Sequence, residues 1–304
     1  SFLDFLINCG TIPYFFSKKK ISMKFKVSSG LQIAASSWGL ETDPLVLLLH
    51  GGGQTRHAWG ETGEKLSKSG FHVLAIDLRG HGDSDWHPDG EYGIDNYKKD
   101  IVSILQELKK PAAFLGASLG GMTSLSIVGD QELKEMSWAL VMVDIGLYPN
   151  LEGSQEIVDF MHSGSDGFES VEEAAQSVSN YLPHRKRPRD NRGLEKNLRL
   201  KDDGRYYWHW DPRFLDSRPK DMTEDYRKKQ KDFAEGVEIP TLLIKGAMSN
   251  ILTSNEVNDF LAVISHSEFI EIKDAAHMVA GDRNDIFASA AIDFLDNHSP
   301  PKEN

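Results

Sequence analysis

From Met23 onward, short runs of β-favouring apolar residues alternate with longer stretches whose apolar positions recur at helical spacing. Strands are expected at residues 25–28, 31–37, 45–49, 72–76, 112–115, 139–143, 241–244 and 268–272. Helices are expected at residues 57–68, 95–109, 119–128, 254–264 and 284–297, the fourth opening on a capping box in which Thr253 is followed by Glu256. Strands alternating with helices predict a mainly parallel sheet covered on both faces, so the fold class is α/β, with eight strands in one sheet. The alternation stops between residues 148 and 236, where the chain turns polar, charged and helical and no strand-like run is expected. Ser170-Val171-Glu172-Glu173 opens one helix there with a second capping box, and residues 222–234 read as another. The chain therefore divides into an N-terminal extension (1–22), a first core part (23–147), an insertion (148–236) and a second core part (237–304).

Composition narrows the possibilities. A chain of 304 residues, 39% of them hydrophobic, is long enough for one large α/β core with an inserted subdomain. Its net charge of −12 argues against nucleic acid as a partner, because phosphate binding needs a basic surface. The lone Cys9 rules out an internal disulfide, which is compatible with a reducing cytoplasm. Residues 2–16 are apolar but broken by Asn8, Gly10 and Pro13, and Lys18-Lys19-Lys20 follows them, the reverse of a secretory signal's charge order. That run is also shorter than the roughly 20 residues a membrane span requires. The expectation is a leader ahead of Met23, with a docking segment or weak membrane anchor as the alternative, and no membrane partner for the rest of the chain. The insertion's basic residues, Arg185 to Lys201, read as a solvated face.

The candidate chemistry starts at Gly116-Ala117-Ser118-Leu119-Gly120, a Gly-x-Ser-x-Gly sequence between an expected strand and an expected helix. A serine at a sharp strand-to-helix turn needs small neighbours and stands exposed above the sheet edge, so Ser118 is the candidate nucleophile. The strand at 45–49 ends in His50-Gly51-Gly52-Gly53, which matches the oxyanion loop of esterases and lipases; backbone N–H groups of Gly52 and Leu119 would hold a tetrahedral oxyanion. Asp274-Ala275-Ala276-His277 follows the last expected strand, making His277 the candidate general base. There is no His-Glu-x-x-His and no cysteine pair, so no metal site is expected, and no nucleotide loop is visible.

Together, His50 to Gly53, Asp77-Leu78-Arg79-Gly80-His81-Gly82-Asp83-Ser84, Gly116 to Gly121 and Ala276-His277-Met278 resemble the α/β-hydrolase superfamily. The resemblance implies an α/β-hydrolase fold, a helical cap formed by the insertion, a structural role for the Asp77 to Ser84 turn, and a serine hydrolase needing no cofactor. Carboxylic esters are then the expected small-molecule substrates. A carbon–carbon bond hydrolase or lactonase with the same Ser-His pair is one alternative, and a non-catalytic ligand receptor on a hydrolase fold is another. The last is kept open by Asn250, which stands where the family's acid normally follows the penultimate strand. Three readings of the acid compete. Asp144, after the strand at 139–143, supplies the carboxylate, with Glu256 and Asp274 weaker candidates; Asn250 orients His277 through its side-chain oxygen; or the position marks an inactivation, natural or engineered. Gly53, Trp208 and Trp210 are expected to line the substrate pocket.

Overall fold

The structure, a computed structural model, describes residues 20–181, 191–217, 223–273, 275 and 285–301. Its main sheet is built from β1 (Ile21–Lys26), β2 (Gln32–Trp38), β3 (Leu45–Leu49), β4 (His72–Ile76), β5 (Ala112–Ala117), β6 (Ser137–Val143), β9 (Thr241–Gly246) and β10 (Glu268–Ile272). Their spatial order is β1-β2-β4-β3-β5-β6-β9-β10. β1 and β2 form an antiparallel hairpin and β2 runs antiparallel to β4; every other pairing is parallel. The eight expected strands thus make one sheet. β1 starts earlier than expected because its apolar residues Ile21, Met23 and Phe25 alternate with Ser22, Lys24 and Lys26, a pattern suited to an edge strand.

β3, β4 and β5 are buried at every position, and their consecutive side chains serve two cores. Leu45, Leu47 and Leu49 pack on one side with Tyr97, Ile101 and Leu105 of α2 (Ile94–Leu108) and Leu125 of α3 (Leu119–Val128). Val46 and Leu48 pack on the other with Leu66 of α1 (Gly60–Lys68) and with Ala291 and Leu295 of α9 (Ala288–His298). The period of two in a strand sends alternate residues to opposite faces, so an unbroken apolar run has to be covered twice. The register aligns Leu49 with Gly116 and Gly116 with Met142, while Val143 faces Ile244. The carboxyl ends of β3, β5, β6 and β9 therefore finish side by side, and at this edge an open α/β sheet binds its ligands.

Between β6 and β9 the chain adds no strand to this sheet. It holds α4 (Leu151–His162), α5 (Val171–Tyr181), α6 (Arg192–Glu195) and α7 (Glu224–Glu235). It also carries a hairpin that the sequence pattern did not predict, β7 (Leu198–Leu200) with β8 (Tyr206–Trp208). Strands of three residues are too short to reveal an alternation, and Tyr206 is further fixed by a two-way backbone exchange with Phe168. After β9, α8 (Ser254–Val263) opens on the full Thr253–Glu256 capping box. At α5 the Glu173 N–H bonds the Ser170 hydroxyl, but the Glu173 carboxylate accepts from the Glu169 N–H, one residue earlier than a regular box.

Candidate active site

Ser118 lies between β5 and α3 with φ +47° and ψ −111°, a strained conformation for a residue with a side chain. The turn is clamped from below: the Ser118 N–H bonds the Val143 carbonyl, and the Gly120 N–H bonds the His50 carbonyl. A Cβ on Gly116 would stand 2.5 Å from the Gly120 oxygen, and one on Gly120 2.2 Å from the Leu49 oxygen, so glycine is required at both positions by close backbone approach. Leu119 is the first residue of α3, where an N–H has no intrahelical acceptor and points outward from the helix start.

The loop after β3 reaches the same place. Gly52 lines one pocket wall together with Ser118 and Leu119. Gly51 is held by the Gln54 side chain on its N–H (2.9 Å) and by the Gln54 N–H on its carbonyl (3.1 Å). His50, fully buried, has Nδ1 2.8 Å from the Gly51 carbonyl and takes the Leu78 N–H on Nε2 at 3.0 Å. An acceptor on one side and a donor on the other fix a neutral ring with its hydrogen on Nδ1, and burial pushes its pKa down to about 4. His81 and His209 lie near it with tilted rings, at ring distances of 5.1 Å (His50–His81) and 6.0 Å (His81–His209). The Asp77 to Ser84 turn is internally tied: Asp77 accepts from the Arg56 and Asp83 N–H groups and pairs with the Arg56 guanidinium, and Arg79 makes a buried two-pronged pair with Asp100.

Asp144, at the end of β6, is buried and left-handed at φ +55°. Its carboxylate accepts from the Gly246 N–H at 3.0 Å and from the Ser249 hydroxyl at 2.7 Å. Asn250 is exposed, and its amide donates to Glu156 of α4 at 2.6 Å. Glu256 is occupied by its capping box. His277 and Asp274 lie outside the described residues, as do residues 185–190 of the basic run. Within the described part of that run, Arg199 reaches the Gly82 carbonyl and Asp83. Ala275, two residues ahead of His277 in sequence, has its carbonyl bonded by the Met248 N–H and lies against Gly246.

Above Ser118 opens a pocket of about 130 Å³. Among the described residues its lining is apolar or uncharged, including Met122, Ile145, Leu151, Ile157, Phe214 and Leu215. Gly53, Trp208 and Trp210 stand one layer behind this wall: Trp208 and Trp210 stack at 4.9 Å, and Trp210 and Met161 pack against Gly53. The roles of His50, Gln54, His209 and Ser249 were not read from sequence, because each acts by a hydrogen bond to a residue whose position only the fold supplies.

A family model described as the α/β-hydrolase fold matches residues 44–136. Among solved structures, E-2-(acetamidomethylene)succinate hydrolase superposes with a TM-score of 0.77 at 19% identity, over 92% of this chain and 99% of that one. The chain has the α/β-hydrolase fold. In sequence it is similar to the esterase Rv0045c of Mycobacterium tuberculosis, 29% identical over 83% of this chain and 82% of the relative. It is also similar to the 3-hydroxybutyrate-oligomer hydrolase of Cupriavidus necator, 24% identical over 81% and 87%.

Proposed function

We propose that this α/β hydrolase is a serine esterase acting on small, uncharged carboxylic esters, with the β6–β9 connection as its cap. Ser118 attacks the ester carbonyl, His277 takes the hydroxyl proton and returns it to the leaving alcohol, and water then releases the acyl group from Ser118. The N–H groups of Gly52 and Leu119 hold the oxyanion, each such donor contributing about 3 kcal/mol in the transition state. The observation that carries the reading is a strained serine at a helix start facing the Gly52 wall of an uncharged pocket. The esterase among its relatives supports it. In this reading Asp144 is the acid. It ends the strand beside Ser118's own, and the Gly246 N–H that it binds belongs to the residue packed on Ala275, from which His277 is two residues away. Asn250, engaged outward with Glu156, is not needed. A carbon–carbon bond hydrolase would want a cation for a substrate carboxylate, and the described pocket lining supplies none.

The test is pre-steady-state hydrolysis of p-nitrophenyl butyrate. A burst equal to the enzyme concentration is expected, with turnover reduced about 10⁴-fold or more in Ser118→Ala. Turnover that survives this substitution, or its absence from the unmodified protein, overturns the proposal.

A further inference from the structure

Three glycines in succession, Gly51 to Gly53, carry the proposed oxyanion donor, and a glycine run has the largest conformational freedom a chain offers. A donor contributes fully to the transition state only if it is already aimed, and a misplacement near 1 Å costs about 10²-fold in rate. Something must therefore hold both sides of Gly52. The Gly51 side is held from within the core, by His50 and Gln54. On the Gly53 side, where φ is +76°, the hydrogen bond comes from elsewhere in the chain: Nε2 of His209, in the β6–β9 connection, lies 3.2 Å from the Gly53 carbonyl.

His209 is itself anchored as a strut. Its backbone N–H bonds the Asn197 carbonyl, its ring meets Trp210 edge-on, and its Nδ1 accepts the Gly82 N–H at 2.8 Å. Gly82 sits in the Asp77 to Ser84 turn, which Asp77 and Arg56 tie to the sheet edge. Because an N–H is aimed at Nδ1, the ring hydrogen has to reside on Nε2, the nitrogen that faces the Gly53 carbonyl. Both ring nitrogens are used, and the side chain is buried.

We infer that His209 is the positioning residue of the oxyanion loop, so that the cap, when docked, sets the donor at Gly52. This rests on the serine-esterase reading above. His209 touches neither Ser118 nor the pocket in this account; it acts through Gly53.

The two halves of the ring can be replaced separately. His209→Asn keeps a carbonyl oxygen near the Nδ1 position, for Gly82, but removes the donor to Gly53; His209→Gln places an amide nitrogen near Nε2 and restores that donor. With p-nitrophenyl butyrate, His209→Asn should lower kcat about 10- to 100-fold and change KM by no more than about twofold. A short-chain alkyl trifluoromethyl ketone, which forms the oxyanion on Ser118, should bind more weakly by a factor similar to the loss in kcat/KM. His209→Gln should recover kcat to within about fivefold of the unmodified protein. Wild-type kcat and ketone affinity in His209→Asn, with turnover still dependent on Ser118, overturn the inference while leaving the esterase reading intact. So does equal damage in both variants that parallels a fall in melting temperature, since that marks a purely structural histidine. If the unmodified protein shows no Ser118-dependent turnover, the esterase reading falls and this role of His209 falls with it.

Discussion

Individual side chains around this site are held in one protonation state by burial. His50 is pushed down to about 4 and His81 to about 3, each first by desolvation, and His209 is shifted well below its ordinary value by burial and by the neighbouring His81 and His50. The half-buried His57 and the buried His72 shift the same way, again mainly by desolvation. In the unfolded chain each imidazole takes a proton near pH 6.5, whereas the folded chain refuses it until the lower value is reached. Folding stability is then fully present above pH 6.5 and is lost as pH falls, by roughly 1 kcal/mol per pH unit for each such histidine. Urea midpoints measured from pH 7.5 to 4.5 should be level down to about pH 6.5 and then drop. The drop should be shallower in His81→Asn, which removes one titrating ring whose Nε2 has no partner among the described residues. A stability profile that stays flat to pH 4.5 contradicts this account.

At the scale of elements, the proposed chemistry rests on the junctions at the carboxyl ends of β3, β5 and β6, and they differ in how far the sequence reveals them. The β5–α3 turn is legible because Gly116 answers a contact inside the turn, against Gly120, that any sharp strand-to-helix turn creates, although Gly120 itself answers Leu49 of the neighbouring strand β3. The loop after β3 is legible from its run of glycines, Gly51 to Gly53, directly after an apolar strand, although Gly52 and Gly53 answer distant residues, Phe214, Met161 and Trp210. The end of β6 is less so, because Val143-Asp144-Ile145-Gly146 reads as an acid or as a structural aspartate, and the groups that hold its carboxylate, Gly246 and Ser249, lie 102 and 105 positions away. The β7–β8 hairpin escaped because each strand has three residues, and His209 because nothing along the chain links it to Gly53, 156 positions away. These partners make the acid testable. Asp144→Asn should cut kcat by about 10⁴-fold, the cost of a wrongly held imidazole tautomer. Asn250→Asp should bring no gain, since it only replaces the donor to Glu156 with a second carboxylate. A rate that rises in Asn250→Asp while Asp144→Asn stays active would move the acid to the β9–α8 loop.

On the proposed esterase reading, the whole molecule selects substrate by enclosing one small apolar space between two parts of the chain. Ser118, Leu119, Met122 and Ile145 come from the sheet edge and α3, while Leu151, Ile157, Phe214 and Tyr226 come from the β6–β9 connection. At about 130 Å³ the pocket is close in size to a protein cavity of about 150 Å³ that accepts benzene, which suits an acyl chain of roughly four to six carbons. Each methylene buried adds about 0.8 kcal/mol, so kcat/KM should rise about fourfold per carbon from acetate to butyrate. Beyond hexanoate it should fall, as the chain meets Ile157 and Leu151. A substrate carboxylate entering the same space would lose its hydration with no cation in the described lining to replace it, a cost of several kcal/mol. The net charge of −12 opposes its approach as well. A hemisuccinate ester should therefore react at least about 10²-fold more slowly than the valerate ester of the same alcohol. Trimming the wall in Ile157→Ala should move the optimum one or two carbons longer without helping the hemisuccinate, because volume and charge are refused by different features. If Ile157→Ala accepts the hemisuccinate as readily as the longer neutral esters, size alone governs entry and the uncharged lining plays no selective part.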